Sequence, residues 1–227
     1  MTVIVGVQTT RGVILGADSQ ASCSNGNRKR SDAKLHQRSE ILAFGSCGSP
    51  RLGDILEYHL PELQEPPLGD AEAMREWMVR DFIDLLRNQA RYHGALMDWF
   101  GVEYLDNSAF LVAVRGELFT VEEDLQVGAH VLAYDALGSG EEVAIGSLYA
   151  RFGDQRTPIS DIKAAEDAVE QAVAAASEFT NFVGGDIITL ETTKLAPDEM
   201  ELIRSFGGGY AAPQEDAGAP GSKGDDG

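Results

Sequence analysis

The chain has 227 residues, 43% of them hydrophobic, and a formal net charge of −19. That length buries enough apolar surface to fold without disulfides or metal. No apolar run approaches the roughly 18 residues of a membrane span, and Arg28-Lys29-Arg30 is too short a basic cluster for a phosphate-tracking surface, so neither a membrane nor nucleic acid is expected as a partner.

Val3 to Gln8 is a short β-rich run, "TTRG" is a turn, and "VILGADSQ" is a second strand, so the chain opens as a hairpin. Asn25-Gly26 is a turn signal, and "EILAFGSCG", residues 40–48, reads as a strand. Ser49 is a candidate N-cap with Pro50 at the first helical position of "SPRLGDILEYHL". From Asp70, Met74, Trp77, Met78, Phe82, Leu85 and Leu86 recur at helical spacing, a core-facing stripe. Strands return at 108–114, 117–121 and 130–137, followed by a helix over 141–152. A long helix follows with Ser160 as N-cap, and "DIITLETTK" is the last strand. Residues 207–227, "GGYAAPQEDAGAPGSKGDDG" with its preceding Gly, cannot bury a core and read as a disordered tail behind one domain over 1–206. Helices in blocks between antiparallel hairpins predict an α+β layered domain.

Cys23 and Cys47 make no disulfide framework or metal-ligand spacing, and the four histidines form no pair on a helix face. A reducing cytoplasm is the expected location, in keeping with an opening that has no basic-then-apolar leader. Neither G-x-x-x-x-G-K-[ST] nor G-x-G-x-x-G occurs, so no cofactor is expected.

The chemistry concentrates at the front. Thr2 follows the initiator methionine, and methionine is generally removed before a small residue. The product would carry a free α-amine beside its own hydroxyl, with a reference pKa of about 8, low enough to serve as general base near neutrality. A neighbouring cation would tune that amine, and a carboxylate would hold the cation. Asp18, closing the second strand, and Lys34, just downstream, supply both types. Ordinary alternatives stand beside these roles: Thr2 as a β-branched strand starter, Asp18 as a turn residue, Lys34 as a solvated charge. Cys47 is a second possible nucleophile but has no histidine nearby in sequence and reads as buried.

"TVIVGV", "RGVILGADSQAS" and "AKL", in that order, resemble the β-type subunits of the proteasome and the HslV-type peptidases, which are N-terminal-nucleophile hydrolases. "LAFGSCGSPRLGDIL", "ALGSGEEVAIGSLYA" and "VGGDIITLETTK" are similar to later parts of the same pattern, and the likeness covers roughly residues 2–195. The resemblance implies a four-layer αββα sandwich with two antiparallel sheets face to face. It implies Thr2 as nucleophile, Lys34 tuning its amine, Asp18 pairing with Lys34, Gly45 donating its N–H to an oxyanion, and Ser139 hydrogen-bonding near the amine. A family aspartate on the late helix is replaced by Glu178, with Thr180 or Asn181 near a family serine. Asp32, with Ala21 and Ala43, is implied around the pocket for the residue before the scissile bond; Asp32 there would favour a basic side chain, or would pair with Arg30 or Lys34. The expected activity is a threonine endopeptidase acting on peptides or unfolded protein inside a homo-oligomeric ring, with an ATPase unfoldase as possible partner. A catalytically silent ring subunit and an amidohydrolase acting on a small amide are the alternatives.

Overall fold

The computed structural model describes residues 1–22, 29–59, 63–196 and 198–200, with the side chains at 22, 29 and 30 excepted. The Asn25-Gly26 turn, Cys23, the Arg30 side chain, the domain end at 206 and the tail over 207–227 lie outside the described residues. Met1–Ala196 forms one compact unit.

The chain opens with β1 (Ile4–Gln8) and β2 (Gly12–Asp18), the predicted antiparallel hairpin. Two short strands, β3 (Gln20–Ser22) and β4 (Lys29–Ser31), pair with each other, and β5 (Leu35–Ser39) and β6 (Leu42–Cys47) form the next hairpin. The helical block comprises α1 (Pro50–His59), α2 (Ala71–Trp77), a π-helical turn over Met78–Phe82, and α3 (Ile83–Tyr92). A hairpin of β7 (Leu96–Trp99) and β8 (Val102–Leu105) precedes β9 (Ala109–Val114), β10 (Glu117–Val121), β11 (Val127–Ala129) and β12 (Tyr134–Leu137). Then come α4 (Glu141–Phe152), α5 (Ile162–Phe179) and β13 (Ile187–Thr193).

One sheet has the order β12-β1-β2-β13, the other β11-β10-β9-β6-β5, and every pairing within them is antiparallel. Side chains on successive strand residues point to opposite faces, and the core is sorted by that alternation. Ile4, Val13, Leu15, Ala17, Leu111 and Ala113 meet between the sheets. Val5, Val7 and Ile14 turn outward onto Ala168, Val169, Ala172 and Val173 of α5. Phe110, Val112 and Val114 turn outward onto Leu52, Met78, Phe82 and Leu86 of the first helical block. β2 is buried along its whole length because helix covers one face and sheet the other. The result is the predicted α+β sandwich in four layers, αββα.

Several elements differ from the sequence reading. Of the run 130–137 only Tyr134–Leu137 is strand: β12 pairs with β1, β11 has already ended at Ala129 after pairing with β10 in the other sheet, and residues 130–133 cross between the sheets. Asp161, not Ser160, caps α5, its carboxylate accepting from the Ala164 N–H (2.9 Å). The helix predicted from Asp70 does start there, with Asp70 accepting from the Ala73 N–H, but it passes through the π-helical turn. The β7–β8 hairpin had no prediction: its turn uses Phe100 at φ 53° and Gly101 at φ 82°, not the Asn-Gly or Asp-Gly that marks such turns in sequence. Among the described residues no helix is long and apolar enough to cross a membrane.

Candidate active site

Thr2 is 8% exposed and sits where the first sheet begins, held by the turn between β12 and α4. Its backbone N–H donates to Ser139 Oγ (3.1 Å), and its carbonyl accepts from Ser139 Oγ (3.2 Å) and from the Gly140 N–H (3.2 Å). Ser139 therefore spends its hydroxyl on Thr2 and not on capping α4, whose N-cap is Gly140 with no side-chain bond. Gly138 lets the turn come this close. It has φ +95°, and a Cβ there would lie 2.4 Å from the Thr2 carbonyl oxygen.

Asp18 and Lys34 are brought together as predicted. The Lys34 ammonium donates to Asp18 Oδ1 (2.7 Å), to the Gln20 carbonyl (2.9 Å) and to the Met1 carbonyl (3.4 Å), so its three hydrogens face three acceptors around the Met1–Thr2 peptide. Asp18 is 1% exposed and Lys34 8%. Asp18 Oδ1 also accepts from the Val3 N–H (2.9 Å), and Oδ2 accepts from the Gly184 N–H (3.0 Å). Burial pulls the Lys34 ammonium below its ordinary range, with the Asp18 hydrogen bond and charge opposing that shift. Lys34 does not lie on a strand: residues 32–34 connect β4 to β5.

A cavity of about 130 Å³ opens beside Thr2, lined in part by Ala21, Asp32, Lys34, Ser46, Gly48 and Pro50. Ala21 and Asp32 thus border the cavity. Ala43 does not: it is fully buried between the two sheets, opposite Gln37 and Ala113 in the β6 ladders. Gly45 is likewise mid-ladder, opposite Leu35 and Leu111, and a Cβ there would meet Ile4 Cγ2 at 2.4 Å. Its missing side chain serves sheet-on-sheet packing, and the glycine that lines the cavity is Gly48, just past the end of β6. Gly48 has φ +95°, and a Cβ would lie 1.9 Å from the Asn107 carbonyl oxygen. The following turn is pinned by the Ser49 N–H donating to Ser108 Oγ (2.8 Å).

Glu178 is exposed near the end of α5, Thr180 forms the helix C-cap and Asn181 is exposed. This segment reaches the site through the backbone instead, by the Gly184 N–H on Asp18. Cys47 borders the cavity half-buried, its thiol donating to the Ala109 carbonyl (3.5 Å). Burial pushes that thiol's pKa up, with Lys34 acting weakly the other way, so it is held as the poorly nucleophilic protonated form. Among the described residues no cluster of three His, Cys, Asp or Glu side chains is arranged to hold a metal.

No family model matches the chain. It is 30% identical over 176 residues to proteasome subunit beta 2 of Pyrococcus abyssi, an alignment covering 76% of this chain and 79% of that protein. It superposes on Thiobacillus denitrificans BPH in complex with Epoxomicin with a TM-score of 0.63 at 20% identity, covering 85% of this chain and 99% of that one. Against the eukaryotic HslV from Trypanosoma brucei the TM-score is 0.58 at 18% identity, covering 84% and 99%. These two structures share the fold, and the archaeal relative carries the kinship. The chain belongs to the proteasome β-subunit family of N-terminal-nucleophile threonine peptidases.

Proposed function

We propose that this chain is an active threonine endopeptidase whose nucleophile is the Thr2 hydroxyl and whose general base is the Thr2 α-amine set free when Met1 is removed. The observation that carries this reading is the buried Lys34–Asp18 pair wrapped around the Met1–Thr2 peptide. A buried lysine is rarely retained without a task. Loss of Met1 removes one of its three acceptors, and the ammonium hydrogen so released is available to the Thr2 hydroxyl or amine. The nearby cation lowers the amine pKa and raises its neutral fraction near pH 7. Ser139, already bonded to the Thr2 nitrogen, would orient that amine. The hydroxyl attacks the substrate carbonyl while the amine takes its proton. The amine then returns the proton to the leaving nitrogen, and water hydrolyses the resulting ester in a second step. The Gly48 N–H, at the cavity and not mid-strand, is the better candidate than Gly45 for the oxyanion.

Substrates in this reading are peptides or unfolded protein, and Asp32 on the cavity wall gives a negative bias towards a basic residue before the scissile bond. A homo-oligomeric ring encloses the site, since an N-terminal nucleophile open to solvent would cleave indiscriminately; an ATPase unfoldase would feed it. The test is hydrolysis of a fluorogenic peptide panel by the processed protein. Thr2→Ala is expected to lose hydrolysis with its fold intact, and Thr2→Ser to keep part of it. Turnover by Thr2→Ala at the wild-type rate overturns the assignment.

A further inference from the structure

Away from the Thr2 cavity, the first helical block holds a buried indole whose N–H is not used. Trp77, the last residue of α2, is 5% exposed and packs against Phe82, with ring centroids 6.2 Å apart. Its Nε1 is buried with no hydrogen-bond partner among the described residues. An indole N–H can only donate, and a buried one usually finds an acceptor. An orphaned donor of this kind calls for an explanation.

Trp77 lines a cleft of about 350 Å³. Glu65 and Pro67, from the connection between α1 and α2, form part of its lining, together with Ala73, Glu76, Arg80 and Asp81. The connection is held in place. Pro66 is buried, and its carbonyl accepts from Arg115 Nε (2.8 Å), itself a buried side chain. Beyond Trp77 the helix passes into the π-helical turn, Met78–Phe82, which keeps Met78 and Phe82 in the core while Arg80 and Asp81 border the cleft. Such turns recur at functional sites. The charge is one-sided. Glu76 and Arg80 pair with each other (3.0 Å), and Glu65 and Asp81 have no ion-pair partner among the described residues.

We propose that this cleft docks an extended basic segment of a partner protein. A backbone carbonyl of that segment accepts from Trp77 Nε1, and its lysine or arginine side chains meet Glu65 and Asp81. The orphaned donor requires an acceptor, and the two free carboxylates oppose an anionic one, so a neutral peptide carbonyl flanked by cations fits both. Pro67, Ala73 and the indole supply the apolar contact that peptide grooves commonly use. Nε1 is covered, so the segment reaches it by displacing rim side chains; Glu76 and Arg80, 58% and 74% exposed, are free enough to move aside. None of these residues lines the Thr2 cavity, and the inference does not depend on the peptidase reading.

The test is binding of a dye-labelled, capped peptide of alternating lysine and alanine, about eight residues long, followed by fluorescence anisotropy. The full chain carrying Thr2→Ala is used so that the peptide stays intact, and a glutamate–alanine peptide of the same length is the comparison. The lysine peptide is expected to bind and the glutamate peptide not. Trp77→Phe, added to that chain, keeps an aromatic ring and removes the N–H; it should weaken binding about tenfold, the effect of one buried hydrogen bond. Glu65→Gln with Asp81→Asn alters only exposed side chains. This pair should also weaken binding and flatten its salt dependence, which keeps the test open should Trp77→Phe fold poorly. Failure of the lysine peptide to bind, or equal binding of the glutamate peptide, overturns the inference. So does a folded Trp77→Phe chain with unchanged affinity, since the charge effect would then be general acidity and not this cleft. None of these results bears on the peptidase reading.

Discussion

Lys34 keeps its charge in a buried site because Asp18 is 2.7 Å away, and Asp18 in turn anchors two backbone N–H groups, of Val3 and Gly184. The two residues should therefore fail differently. Lys34→Ala removes the cation beside Thr2, so the amine pKa rises and the acid limb of the pH–rate profile moves to higher pH, with most activity near neutrality lost. Asp18→Asn leaves the lysine buried without its anion and loosens both backbone contacts. Breaking one side of a buried pair costs about 3–5 kcal/mol, so this variant should lose stability as well as activity in denaturant titrations. An unchanged pH–rate profile in Lys34→Ala would remove the electrostatic role. The pairing of Asp18 with Lys34 was legible from residue type and order, a carboxylate closing a strand and a lysine just downstream, whereas Ser139 beside Thr2 was implied only by the family resemblance. Gly45 and Gly48 were not distinguishable by type. Only the ladder, which puts one mid-strand and the other past the strand end, separates packing from a place at the cavity.

At the scale of elements, the boundaries of β10 and α4 agree with the sequence reading because turn residues bracket a single clean period on each. The run 130–137 misled because its apolar residues continue through the connection between the two sheets, and periodicity does not say where the strand starts or which sheet it joins. The cap of α5 offers a direct check of one local correction. Asp161 accepts from the Ala164 N–H, so Asp161→Ala should cost about 1 kcal/mol of unfolding free energy, while Ser160→Ala should change it by less than about 0.5 kcal/mol. Equal costs in urea titrations would return the cap to the sequence-based choice.

For the whole molecule, a net charge of −19 opposes self-association unless apolar contact outweighs it. The described surface offers such contact: Trp99 and Phe100 at the β7–β8 turn, Phe179 at the end of α5 and Phe182 just after it are exposed aromatic side chains. The proposed ring should appear in sedimentation velocity as one discrete high-order species, and Thr2→Ala should assemble equally well, because the nucleophile hydroxyl is not a subunit contact in this account. A monomer at micromolar concentration with full peptidase activity would rule out enclosure as a requirement. The central claim is that one residue supplies both nucleophile and base. Intact-mass measurement after treatment with epoxomicin, the ligand held by Thiobacillus denitrificans BPH, tests it most directly. The expected product is a chain lacking Met1 that gains the mass of one epoxomicin, localised to the N-terminal peptide and absent in Thr2→Ala. An active preparation that retains Met1 throughout, or an adduct that persists in Thr2→Ala, would contradict it.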